Sequence, residues 1–222
     1  MPNNLNNLLE LFKAGGIVAW PLLGFSLLAV ALSIERIWFW FRIKSQQKKV
    51  VKEVLRLYRS EDSVTAMEKL KENAALPIAR IFLEALELEE PTPEEFRLAL
   101  ESATQAELPD LKRFNTLFQT IITVSPLLGL LGTILGLMHS FASLNIGNAS
   151  ATDRAGVTGG ISEALVSTVM GLVVAISTLL FANAFRSFYQ RQIGLIQEYG
   201  GQLELLYCRI YYKKGGKTYA DY

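Results

Sequence analysis

SPLLGLLGTILGLMHSF, residues 125–141, and ISEALVSTVMGLVVAISTLLFANAF, residues 161–185, are two long apolar stretches broken by very few polar side chains. Crossing about 30 Å of hydrocarbon takes roughly 20 helical residues, and a helix satisfies its own backbone donors and acceptors where no water can. Thr133, Glu163, Ser167 and Thr168 are the residues that need a reason. Ionisable and hydroxyl groups inside a span are costly, and they face a bundle interior or a wet path rather than lipid. The two stretches point to an all-α integral membrane protein with an ion pathway.

Outward from this core, a third candidate span runs from residue 17 to 34 without a charge, and Trp20 and Trp38 bracket it. Those two indoles are 18 residues apart, about 27 Å on a helix, the spacing of interfacial anchors. No basic region precedes the stretch and no small-residue cleavage site follows it, so it is expected to stay in the mature protein. Half of the 222 residues are apolar and 19% are charged, and the net charge of +1 carries no bias toward nucleic acid. Cys208 and His139 are each the only residue of their type, which excludes an intrachain disulfide framework and a cysteine-based metal cluster; no metal or cofactor is expected.

The basic residues are lopsided. Fourteen lie from Arg36 to Arg113 and six from Arg186 onward, leaving only Lys13 and Arg154 elsewhere. The positive-inside rule then orients the chain with its N-terminus outside and its C-terminus in the cytoplasm. The expected organisation is an extracytoplasmic segment 1–16, a first transmembrane helix 17–41, a helical cytoplasmic domain 42–116, two further spans within 117–185 joined by an outside loop 142–160, and a cytoplasmic C-terminal helix and tail 186–222. From Glu35 to Arg113 there are 15 acidic residues against the 14 basic ones, a mixed-charge, solvated surface.

Within the cytoplasmic part, Leu55, Tyr58, Met67, Leu70, Ile78, Phe82 and Leu86 recur near helical spacing, with turn signals at residues 60–63 and 75–77. Thr92-Pro93-Glu94-Glu95 has the chemistry of a helix start, with Thr92 as N-cap, Pro93 at the first position and Glu95 reaching back in a capping box. The helix that begins there is expected to pass Pro109, with a kink, and to run on through residues 110–118 into the second span. Residues 186–212 contain no proline and should prolong the third span.

Gly129, Gly132, Thr133 and Gly136 recur at helical spacing, so one side of the second span is bare except for a hydroxyl, and Gly171 is a further small residue on the third. Thr133 either serves an ion path or bonds back to a carbonyl one turn earlier. Pro126 should free a backbone carbonyl that needs another partner. On the third span Thr168, Leu172, Ala175, Leu179 and Ala182 form one stripe, and Glu163, Ser167, Met170, Val174 and Ser177 another. At about 100° per residue Glu163 and Thr168 point about 140° apart, so one can line a lumen while the other lies at a seam between subunits. Glu163 can also be read as an acid favoured by the dipole of a helix starting after Gly159-Gly160.

The run from Ser125 to Met138, followed by Gly160-Ile161-Ser162-Glu163-Ala164-Leu165-Val166-Ser167-Thr168 and Gly171-Leu172, resembles the MotA/TolQ/ExbB proton-channel family, most closely its ExbB and TolQ branch. Ile34-Glu35-Arg36 at the end of the first span resembles that branch too, and three spans rather than four separate the chain from flagellar MotA-type stators. The resemblance implies a homo-oligomeric ring, typically a pentamer, in the bacterial inner membrane. The ring surrounds the helices of a single-span ExbD- or TolR-like protein whose membrane aspartate carries protons, and a TonB- or TolA-like envelope protein receives the force. It implies Thr133 and Thr168 as pore hydroxyls and Glu163 as the acidic position, with Ser167 beside them and Gly129, Gly132, Gly136 and Gly171 packing the helices. Membrane lipids are the remaining expected partner.

The implied function is a motor driven by proton-motive force that energises TonB-dependent outer-membrane transport. A Tol-Pal-type envelope-maintenance motor and a passive scaffold or ion channel are the alternatives. An enzyme is not expected: His139 lies at a span end, and Gly160-Ile161-Ser162 lacks the second glycine of a nucleophile elbow.

Overall fold

The computed structural model describes residues 12, 14–142, 151–213 and 215, with the side chains of 151–155 excepted. Most of the expected N-terminal segment, residues 143–150 of the loop and most of the C-terminal tail lie outside the described residues. Among the described residues all regular structure is helical: α1 (Ala19–Arg59), α2 (Ser63–Glu72), α3 (Pro77–Leu86), α4 (Pro93–Leu111), α5 (Asn115–Ala142) and α6 (Ala151–Lys213). Three helical stretches are long and apolar enough to cross a membrane, within Ala19–Arg59, Pro93–Ala142 and Gly156–Lys213. The fold class read from the sequence is the one observed.

The chain forms two compact units, one of residues 1–35 and 114–185, the other of 36–113 and 186–222. The first holds the apolar spans. Small residues bring α5 and α6 together: Ser125, Gly129, Gly132, Gly136 and Ser140 are buried on α5, and Gly160, Ala164, Ser167, Gly171, Ala175, Thr178 and Ala182 on α6. Both sets advance by 4, 3, 4, 4, an 11-residue repeat close to the natural helical period. The face that buries on α6 takes Ala175 and Ala182 from one of the stripes read from the sequence and Ser167 from the other, while Leu172 and Leu179 are 44% and 40% exposed. A Cβ on Gly171 would lie 2.5 Å from the Ser125 carbonyl oxygen, and one on Gly136 would lie 2.6 Å from that of Gly160. Backbone meets backbone here, and only glycine permits it. At the other end of the seam Phe118 and Ile121 pack with Ala29, Leu32 and Ala182, and the Phe118 and Phe185 rings lie 5.6 Å apart.

Two boundaries differ from the expected ones. The helix from Pro93 does not run on into the second span; it ends at Leu111, and residues 112–114 form a turn. Pro109 withholds one amide from the helical ladder, and three residues after it the Lys112 and Arg113 amides bond back to Leu108 and Asp110. Phe114 then takes φ +66°, a left-handed conformation that costs roughly 1–2 kcal/mol, offset by packing of its ring on the Phe118 cluster. The third helix also starts earlier than residue 161, at Ala151, so part of the expected loop is helix.

The second unit packs α2, α3 and α4 around Leu70, Leu76, Ile78, Phe82 and Phe96, all fully buried. The Phe96 ring stacks on Tyr207 at 4.1 Å, and the Gln192 amide donates to Gln47 at 2.6 Å where both side chains are buried. Arg80 forks onto Glu107, and this bond raises the Arg80 pKa further. The capping box is present as expected: the Thr92 amide donates to Glu95 at 2.7 Å and the Glu95 amide to the Thr92 hydroxyl at 3.3 Å. The Thr92 amide first, and its hydroxyl second, hold the Glu95 carboxyl below its usual range, so the cap is intact at neutral pH and is lost as the pH falls through the acid range.

Thr92→Ala removes the cap and is expected to lower stability by about 1 kcal/mol, read as a lower urea midpoint of the detergent-purified protein with an unchanged slope. Gly171→Ala drives a methyl group into a backbone oxygen and is expected to cost about 1–3 kcal/mol. A wild-type thermal midpoint for that variant would contradict the close approach.

Candidate functional site

The α5–α6 seam fixes the register in which the polar groups meet. Gly136 lies against Gly160, Gly129 against Ser167 and Thr168, and Ser125 opposite Gly171, so the helices run antiparallel. The Thr168 hydroxyl sits 3.3 Å from both the Gly129 and the Ala164 carbonyl oxygens. The Ser167 hydroxyl donates to Ala164 at 2.9 Å and lies 3.4 Å from the same Gly129 oxygen. Thr133 is one turn beyond Gly129, and in a regular helix its amide bonds that carbonyl as well. Gly129 C=O is therefore the atom on which the two threonines of the sequence reading converge, one through its hydroxyl and the other through its amide.

The Thr133 hydroxyl donates to Leu130 at 2.6 Å, so the back-bonded geometry expected of a packing threonine is observed. Each hydroxyl has one proton to donate and two lone pairs with which to accept. With the protons of Thr133 and Thr168 committed to carbonyls, the free valences left at both oxygens are acceptors. Water or a protonated acid can donate to them. An ionised carboxylate, which only accepts, finds no donor until a hydroxyl turns away from its carbonyl.

Ser167, expected from the resemblance to lie on the proton pathway, is fully buried in the seam between α5 and α6. Around it, a Cβ on Gly132 would fall 2.4 Å from the Ser167 Cβ. The four glycines named from the sequence, Gly129, Gly132, Gly136 and Gly171, all lie in this contact. The reading missed Ser125, Ser140, Gly160 and Ala164 on the same faces; an 11-residue count of small residues would have found them. Ser140 donates at 3.1 Å to Gly136 and lies 3.1 Å from the Val157 oxygen, while the buried Ser125 hydroxyl has no partner among the described residues.

Glu163 is not brought to the threonines. It is the thirteenth residue of α6, too far along for the dipole of its own helix to act on it. Its carboxylate covers Gly16 in the turn preceding α1: a Cβ there would be 1.7 Å from Oε1, and Gly16 has φ +62°. Both facts require glycine at position 16. The acid thus lies by the N-terminal end of α1, the electrostatically favourable end of a helix.

Among the described residues no group of three or more His, Cys, Asp or Glu side chains is arranged to hold a metal. The MotA/TolQ/ExbB proton channel family matches residues 73–198. The chain is 70% identical over 207 residues to the putative biopolymer transport protein ExbB-like 3 of Synechocystis sp., covering 93% of this chain and 98% of the relative. It is 41% identical to ExbB-like 1 of the same organism, covering 93% and 81%. Over 120 residues it is 32% identical to the Tol-Pal system protein TolQ of Haemophilus influenzae, covering 54% and 50%. Three apolar helices, a glycine seam with the Thr168 hydroxyl on one of its carbonyls and these likenesses agree: the chain belongs to the MotA/TolQ/ExbB proton channel family.

Proposed function

We propose that this chain is the ring-forming subunit, a pentamer on the family pattern, of a motor driven by proton-motive force in the bacterial inner membrane. With an ExbD- or TolR-like single-span partner it conducts protons and energises TonB-dependent outer-membrane transport. Its N-terminus lies outside, and residues 36–113 and 186–222 lie in the cytoplasm, a reading supported by the placement of 20 of the 22 basic residues in those segments. The observation that carries the reading is the Thr168 hydroxyl on Gly129 C=O, with the Thr133 hydroxyl one turn further along α5 on Leu130 C=O. Neither hydroxyl carries charge, and both present acceptor lone pairs where the neighbouring surface of α5, Leu130, Leu131 and Ile134, is exposed and apolar.

Such a site prefers a partner acid in its protonated form. Loss of the proton leaves a carboxylate facing acceptors, which drives it toward a position where a donor is available. Entry of one proton down about 150 mV supplies roughly 3.5 kcal/mol, enough to bias one step between equivalent subunits. Thr133 and Thr168 are the proposed pore hydroxyls, Glu163 the acid of the ring, and Ser167 a support that holds Thr168 through their shared carbonyls. The likeness to TolQ over 120 residues favours, as a second reading, a motor of the Tol-Pal type built on the same site.

Thr133→Val with Thr168→Val keeps the size of both side chains and removes both hydroxyls. Proton flux into vesicles containing the ring and its partner is expected to fall at least about tenfold, in the range typical of lost proton-transfer groups, with the oligomer unchanged on native gels; undiminished flux refutes the pore role. Glu163→Gln is expected to slow the same flux without loss of assembly. Normal flux in that variant would reduce Glu163 to a cover for Gly16.

A further inference from the structure

The first turns of α5 present polar side chains outward at a depth where the surrounding helices present apolar ones. Asn115, Thr116, Gln119, Thr120 and Thr123 are all exposed, with Leu117 the one exposed apolar residue among them. They lie on the side of α5 opposite Phe118, Ile121 and Ser125, which are buried against the other spans. Ser125 opposite Gly171 sets the antiparallel register, which places Thr123 level with about Val173 and Gln119 level with about Ser177. Arg186, the first charge after the third span, is nine residues beyond Ser177, about 13 Å along the helix. On its own side the preceding charge, Arg113, is six residues before Gln119 and ten before Thr123, about 9 Å and 15 Å of helical rise, so Thr123 lies inside the hydrocarbon zone and Gln119 near its polar edge.

At that depth the exposed residues of α1 from 27 to 34 are all apolar, Leu27, Leu28, Val30 and Ile34 among them, and on α6 Ile176, Leu180 and Phe181 are 46–67% exposed. Ser177, level with Gln119, and Asn183 are the exposed polar exceptions on α6 between 172 and 185. A glutamine amide and two threonines facing hydrocarbon are costly to keep there, and nothing of this kind is found on α1. Pro126 adds a further polar group on the same helix: with no amide of its own, it leaves the Ile122 carbonyl without its helical donor. At about 100° per residue, Asn115, Gln119, Ile122 and Thr133 fall within about 60° of one another around α5. They form one line toward the threonine site.

We propose that this line is the wall of a water-filled vestibule, through which protons pass between Thr133 and the polar side of the membrane at Asn115. The inference rests on the reading of Thr133 as a pore hydroxyl and extends it by naming the route on one side. Gln119 and the Ile122 carbonyl anchor water, which bridges to Thr133 past the apolar residues between them.

The test is the water accessibility of single cysteines in the assembled ring with its partner, in a Cys208→Ala background. A small charged methanethiosulfonate reagent reacts only with a thiolate in contact with water. Gln119→Cys and Thr123→Cys are expected to react at least about tenfold faster than Leu180→Cys and Leu27→Cys, because thiolate formation requires hydration. Rates no faster than those of the two apolar controls overturn the vestibule. So does a disulfide between copies at position 119 that leaves no reactive thiol. The readout does not depend on flux, so it fails separately from the threonine reading: unreactive positions 119 and 123 in a ring whose flux still falls in the Thr133→Val, Thr168→Val variant would leave the pore hydroxyls standing and remove only this route.

Discussion

The contact of α5 with α6 through bare backbone is the constraint from which the rest of the membrane unit follows. Two helices that meet at glycine and serine approach closely enough for a hydroxyl on one to reach a main-chain oxygen on the other. At ordinary side-chain separation the Thr168 hydroxyl could not lie 3.3 Å from Gly129 C=O, and only its own-helix partner, Ala164 C=O, would remain. The seam thus sets which valences of the site remain free, and it does so through residues that have no side-chain chemistry of their own.

What the sequence made legible was what depends on local chemistry. The spans are visible because hydrocarbon demands about 20 apolar residues in a row, and the Thr92 cap because a hydroxyl and a glutamate three residues apart are sufficient to form it. The angular separation of Glu163 and Thr168 could be computed because α6 is one regular helix. The break at residues 112–114 could not, since it depends on Phe114 accepting a left-handed backbone in exchange for a place in a cluster drawn from three helices. The covering of Gly16 by Glu163 was hidden for the same reason, because 147 residues separate the two.

The two stripes read on the third span run beside the face that α6 buries within the chain, one sharing Ala175 and Ala182 with it and the other Ser167. In a membrane the large apolar residues face outward, and the inner face is recognised by the absence of bulk. The second unit follows the opposite rule, with Phe82 and Phe96 fully buried and charge on the outside. One chain therefore needs two opposite readings of the same residue types, and the crossover falls where the apolar stretches end.

The turn at Gly16 has an effect on how the acid can be manipulated. Because a carboxylate oxygen occupies the space of the missing methyl group, position 16 controls Glu163 sterically while leaving its charge and its helix untouched. Any side chain added at position 16 must push the carboxylate aside, so the turn ahead of the first span fixes where the acid can rest.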